Sequence, residues 1–196
     1  MIRLIRPECP NPAALDAKNY KDPVNKQALR ESTSGKCMYC ESKIGHNSYP
    51  HVEHIKPKKK FPELEFSWNN LGFSCPVCNT NKGEKYNEDI PFINPYNDEP
   101  EDYFVFLGFF VFPKQGSERG GNTINELGLN RPNLVDGRKD KIKKIKELTK
   151  MIKAASFLKK NEFLCNQAIA ELKKDAEKDK EYSAMVKSVL IAEGIL

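Results

Sequence analysis

The segment CPVCNTNKGEK (residues 75–85) holds the second of two Cys-x-x-Cys pairs, the first being CMYC at residues 37–40. In each pair a tight turn aims two thiolates at one point, and four thiolates complete a closed tetrahedral site of the kind zinc fills. The 34 residues between Cys40 and Cys75 are more than a compact four-cysteine finger carries. What is looped out there is therefore a structure in its own right, and it contains HVEHIKPKKKF (residues 51–61). Redox chemistry or chance pairing competes with this reading. Soft thiolates select zinc and a disulfide is unusual in the cytosol, so a metal site is preferred. Cys9 and Cys165 have no partner by spacing and read as packing thiols.

Composition sets the outer limits. A chain of 196 residues with 39% hydrophobic and 30% charged residues is long enough for one core with an extension and too apolar for wholesale disorder. No apolar run approaches the roughly 18 residues of a membrane span. The opening MIRLIRPECPNP lacks the apolar centre and small-residue cleavage site of a secretory signal. The expected location is cytoplasmic. The net charge of +5, from 32 Lys and Arg against 27 Asp and Glu, suits a polyanionic partner without requiring one.

Four segments follow in order. Residues 1–35 read as an N-terminal arm with a helix around NKQALRES; residues 36–95 hold both cysteine pairs; residues 96–135 form a connector; residues 136–196 carry a helical period throughout. Within the connector, YFVFLGFFVFP (103–113) is aromatic and β-branched and broken by Gly108, the pattern of a hairpin. Thr123 and Glu126 stand in capping-box spacing for a short helix ending near Gly128, and Pro132 suits the start of the next. In the C-terminal part Ile142, Ile145, Leu148, Ile152 and Ala155 share one stripe, continued by Phe163, Leu164, Ile169 and Leu172. The tail YSAMVKSVLIAEGIL (182–196) is apolar enough to pack back on its own module or on a partner.

Between and after the cysteine pairs stand Glu53 and His54 followed by IKP, then Asn70 in WNNL, then Asn79 directly after Cys78. Together these residues resemble the HNH endonuclease family, whose signature runs from an acidic residue or His before His-Ile-x-Pro, through Asn-Leu, to Cys-x-x-Cys-Asn-x-x-Lys. The resemblance implies an α+β fold: a zinc-stapled ββα-metal core, also called a His-Me finger, with the N-terminal arm and a C-terminal helical extension around it. Hydrolysis of a phosphodiester needs a base to take a proton from water, a cation at the phosphate oxygens, and a scaffold that fixes both. A histidine near its ordinary pKa suits the base, and a carboxylate with an amide oxygen suits Mg²⁺ or Mn²⁺. The resemblance assigns His54 as general base, Glu53 and Asn79 as ligands of the catalytic ion, Asn70 as the brace of the histidine loop, and Cys37, Cys40, Cys75 and Cys78 as the structural zinc site. Glu53 departs from the Asp or His that often precedes the base.

Around that centre, Lys56, Lys58, Lys59 and Lys60 are candidates for phosphate contacts, joined by Lys82 and Lys85. His51 lies on the same side of an extended strand as Glu53 and is undecided between metal or phosphate contact and a strand-end polar residue. His46 reads as an exposed loop histidine and Trp68 as packing. Arg131 and Arg138 are open between phosphate contact and pairing with Asp136 and Asp140. MIRLIRP, CMYCES, VEHIKPKK, WNNLGFSCPVCNTNKG, INPYNDEP and TINELGLNRPNLVDGR together carry a narrower resemblance, over roughly the first 140 residues, to the PtuB family of HNH nuclease subunits from Septu-type and retron-associated antiphage systems. It implies a PtuA-type ATPase partner and, in retron forms, a reverse transcriptase with its RNA–DNA product. A stand-alone restriction-type HNH nuclease and a non-catalytic four-cysteine zinc module that binds nucleic acid are the alternatives.

Overall fold

The computed structural model describes residues 1–45, 49–157 and 161–196, so His46 lies outside the described residues. A small antiparallel sheet and one short helix form its centre. Strand β1 (His51–His54) pairs with β2 (Leu71–Ser74) in the register His51↔Ser74, Val52↔Phe73, Glu53↔Gly72 and His54↔Leu71. Gly72, opposite Glu53, leaves room for the Met38 sulfur, which a Cβ there would force to shift. Helix α3 (Pro76–Lys82) follows β2 at once, with Pro76 in its first turn. Its cap is Cys75, whose sulfur accepts the Cys78 amide at 3.4 Å. The second cysteine pair is thus the start of a helix, and the ββα unit expected from sequence is present.

The N-terminal part of the chain covers one face of the sheet. In the N-terminal part, α1 (Pro12–Asp16) precedes α2 (Pro23–Ser32), which Asp22 caps by accepting from the amides of Val24 and Asn25. Leu15 and Leu29 pack on Leu71 and Phe73, with Trp68 at the margin of that cluster donating its indole N–H to the Pro7 carbonyl at 2.8 Å. Arg6 reaches the carbonyls of Trp68 and Leu71 at 2.8 Å while lying over the Tyr96 ring. Cys9 and Cys165 carry no bridge, and Cys165 is buried against Ile152.

The connector holds the expected hairpin, β3 (Phe104–Leu107) and β4 (Phe110–Pro113), turned by Gly108 at φ 61°. Helix α4 (Glu118–Leu127) ends at Gly128 in the left-handed conformation, as read from sequence. Its start differs. Ser117 caps it by accepting from the Gly120 amide, whereas Thr123 is a buried mid-helix residue whose hydroxyl donates to Arg119 O and accepts from Ile93 N. Thr123 turns inward because the buried Ile93 amide needs an acceptor.

Helix α5 (Pro132–Phe157) begins at Pro132, and α6 (Glu162–Lys174) and α7 (Ser183–Ala192) follow. The helical period is therefore broken, with left-handed residues at Asn161 and Tyr182 opening α6 and α7. Ile142, Ile145 and Ile152 are buried with Leu148 and Ala155 beside them, but Phe163 and Leu164 are 70% and 56% exposed. Ile169 and Leu172 turn inward as the stripe required and Cys165 joins them at i, i+4 and i+7 spacing, a face of α6 that leaves Phe163 and Leu164 outside. Met185, Val186, Val189 and Leu190 of α7 are buried, so this tail packs back onto its own chain. A buried charge cluster anchors it: Glu41, next to Cys40, meets the Met1 amino group at 2.6 Å, Lys36 at 3.6 Å and the Ser183 hydroxyl at 2.7 Å.

Candidate active site

The four cysteine sulfurs lie within 4.8 Å of one another, and Cys37, Cys40 and Cys78 are buried. A tetrahedral ion with sulfur ligands at ~2.3 Å separates them by such distances, so this donor set fits zinc. The Arg131 guanidinium stands over the cluster, 3.5 Å from the Cys78 sulfur, 3.7 Å from that of Cys40 and 3.8 Å from that of Cys75. Although burial opposes it, the charges of Cys78 and Cys40 hold this guanidinium above its ordinary pKa. Arg131 is thus a counter-charge to the thiolates. Arg138 is buried, donating to Leu129 O at 2.8 Å and stacked near Phe106 and Tyr182. Neither arginine pairs with Asp136 or Asp140 among the described residues.

Strand β1 and helix α3 lie side by side, and two rungs join them. His51 Nδ1 and Asn79 Nδ2 are 3.0 Å apart in the outer rung. Glu53 Oε1 and Lys82 Nζ are 2.7 Å apart in the inner one, both 2% exposed, with the Tyr39 hydroxyl 3.4 Å from the same oxygen. Alternation along the strand puts His51 and Glu53 on the helix side, which is why both find partners there. Burial pushes the Glu53 carboxyl up, against the pull of Lys82.

This geometry corrects the reading of Lys82. It lies inside the module, donating also to the His54 carbonyl at 2.7 Å, and offers nothing to a phosphate. Its side chain looked free in the sequence because the partner that buries it is two elements away. Lys82→Met leaves the Glu53 charge buried and unpaired, which costs about 3–5 kcal/mol of folding stability. Denaturant titration at neutral pH measures this loss, and a Glu53→Gln/Lys82→Met double variant is expected to recover most of it.

His54 points to the opposite face of β1. Its Nε2 is 2.9 Å from the Glu65 carbonyl and its ring meets Tyr20 edge-on at 4.6 Å. A carbonyl only accepts, so the neutral ring carries its proton on Nε2 and a lone pair on Nδ1. Burial lowers the His54 pKa, helped by Lys58 and Lys82 and opposed by the hydrogen bond to Glu65. Asn70, 5% exposed, accepts the Lys56 amide at 2.7 Å and donates to the carbonyls of Lys56 and Leu64. It sews the turn after His54 to the loop that supplies Glu65.

The lysine run is less free than its sequence suggests. Lys58 pairs with Glu65 at 2.8 Å, Lys59 with Glu84 and Lys85 with Glu126, while Lys60 donates to the Tyr86 carbonyl at 3.1 Å. The Lys59 and Lys85 pairs are exposed, so each holds its lysine by about 1 kcal/mol or less and yields readily to a phosphate, whereas the Lys58 pair is half-buried and shared with the Tyr20 hydroxyl at 3.4 Å. Lys56 has no acidic partner among the described residues and lies over the rings of Phe61 and Tyr86.

Residues 37–85, which span all of these side chains, match the HNH endonuclease family model. Over longer stretches the chain is 33% identical over 193 residues to the Septu protein PtuB of Bacillus mycoides (strain KBAB4), covering 81% of this chain and 64% of that one. It is 32% identical over 181 residues to the Septu protein PtuB of Bacillus thuringiensis, covering 86% of this chain and 68% of that one. The chain belongs to the PtuB family. It spans 64% and 68% of the length of these two PtuB relatives. A retron Vc95 protein of Vibrio cholerae serotype O1 biovar El Tor is 31% identical over 140 residues, covering 65% of this chain and 68% of its own length. Among the described residues, no helix is long and apolar enough to cross a membrane.

Proposed function

We propose that the protein is a metal-dependent HNH endonuclease that hydrolyses phosphodiester bonds of nucleic acid, with residues 36–95 as its catalytic unit. The observation that carries this reading is the fixed His54 ring, whose Nε2 is tied to Glu65 O while Nδ1 is left as a base. His54 Nδ1 takes the proton from the attacking water. Asn70 is a positioning residue: it holds both ends of the loop that orients the ring. Glu53, paired with Lys82, and Asn79 and His51, in contact with each other, would supply a carboxylate oxygen, an amide oxygen and an imidazole nitrogen from facing strand and helix to Mg²⁺ or Mn²⁺. Such an ion, when bound, stabilises charge on the phosphate and the leaving oxygen. Zn²⁺ at the four cysteines is structural, and Lys56, Lys58, Lys59, Lys60 and Lys85 hold the polyanion near the centre.

The setting is an antiphage defence complex. The Septu and retron relatives support it, and a PtuA-type ATPase is the expected partner, with a retron reverse transcriptase and its RNA–DNA product in retron forms. The test is incubation of the purified chain, with and without the ATPase, on DNAs and RNAs in Mg²⁺ or Mn²⁺. Cleavage that EDTA abolishes is expected; failure on every substrate overturns the proposal. The pH profile adds a second expectation. The base must be neutral, and burial lowers the His54 pKa, so the acid limb falls below 6.5, the ordinary histidine value. The rate should rise through that limb and level off near neutrality.

A further inference from the structure

Beside the catalytic strand lies a cleft of about 290 Å³, opening between Ile55–Lys56, the loop 64–70 and the segment 86–98. Its size is close to the lower end of small-ligand pockets, at ~300 Å³. Among the polar side chains that line it are Lys56, Asn69, Tyr86, Asn94, Asn97 and Arg119. Arg119 is already committed, gripping Asp98 with both terminal nitrogens at 2.7 and 3.2 Å. The Asn94 side-chain oxygen accepts the Tyr96 amide. By contrast, the side-chain amides of Asn69 and Asn97, both exposed, and the Tyr86 hydroxyl make no hydrogen bond among the described residues. Lys56 is the lysine of the 56–60 run with neither acid nor carbonyl partner there.

We propose that this cleft seats a nucleobase of the substrate strand next to the cleaved phosphate, giving the nuclease a base preference; this rests on the nuclease reading above. A carboxamide presents a donor and an acceptor side by side, the pattern that matches a base edge. Tyr86, itself fixed edge-on by Phe61 at 5.3 Å and Phe92 at 6.3 Å, adds an aromatic surface of the kind unpaired bases stack on. A phosphate is a poorer occupant, because Asp98 neutralises Arg119 and leaves Lys56 as the cleft's one uncompensated cation among the described residues. The cleft connects to the chemistry through two shared residues. Asn70 lines the cleft and braces the His54 turn, and Leu64, another lining residue, precedes the Glu65 carbonyl that holds His54. A base seated there belongs to the nucleotide adjoining the phosphate that faces His54.

The test begins with calorimetric titration of the full chain with the four nucleoside 5′-monophosphates, which contain no bond for the enzyme to cut. One of the four is expected to bind about tenfold more tightly than the weakest, the discrimination that a well-placed two-point base contact supplies. An Asn69→Ala/Asn97→Ala variant, changed at two exposed positions, should bring that ratio to near unity. In parallel, cut sites in a randomised oligonucleotide pool should show a base preference that the variant loses. Four nucleotides binding alike to the unaltered chain, or a preference that survives both substitutions, overturns the proposal. Selective nucleotide binding without cleavage would uphold the cleft and remove the nuclease reading. Cleavage with flat cut sites and indifferent binding would do the reverse.

Discussion

His54→Ala is expected to lower the rate of phosphodiester cleavage by about 10²–10⁴-fold, the span that a positioned general base contributes. The fold should survive. His54 makes one hydrogen bond, to the Glu65 carbonyl, and one edge contact with Tyr20, and losing a single such bond costs about 1 kcal/mol. That is small against the ~5–15 kcal/mol of a typical domain. Asn70 continues to tie the Lys56 and Leu64 backbones together in the variant. The measurement is single-turnover cleavage beside thermal melting. Residual cleavage in the variant should lose its acid limb, because the group whose protonation shuts off the reaction is gone. A variant that cleaves at the unaltered rate, or that keeps the acid limb, removes His54 as the base.

How much of this was legible in the sequence follows the distance over which each signal acts. Spacing inside Cys37–Cys40 and Cys75–Cys78 is local, and a turn that aims two sulfurs together needs nothing from elsewhere. Gly108 between two apolar runs and Gly128 after Leu127 are likewise local signals, and each sits where its chemistry predicts. The failures are long-range. Lys82 became a partner of Glu53 because β1 and α3 lie alongside each other. Thr123 became an acceptor for Ile93 rather than a cap because a loop segment thirty positions away brings its buried amide to this hydroxyl. Phe163 and Leu164 fit the apolar stripe by counting on from α5, but the inward face of α6 belongs to Cys165, Ile169 and Leu172. Arg131 stood out in the sequence as a charge near a helix start, yet its partners are sulfurs more than fifty residues away.

Cys78→Ser is expected to be the most destabilising single change in the chain. Its sulfur is 0% exposed, and it belongs to the helix that Cys75 caps, so the site joins α3 to the Cys37–Cys40 turn. Structural zinc sites of this type contribute on the order of 10 kcal/mol of binding free energy, and that energy is folding energy because the site does not exist in the unfolded chain. A loss of that size matches or exceeds the whole stability of an ordinary domain. Two further costs add to it. Arg131, held against the thiolates, would keep its buried charge with fewer partners, and Glu41, beside Cys40, anchors the N-terminus of α7 through Ser183. Loosening the first cysteine turn therefore loosens the C-terminal helix as well. The unaltered chain should carry one zinc ion per molecule by metal analysis and should melt at a lower temperature once a strong chelator removes it; Cys78→Ser should resemble the stripped protein. A melting temperature indifferent to chelation would show that the four thiols hold the fold by packing alone.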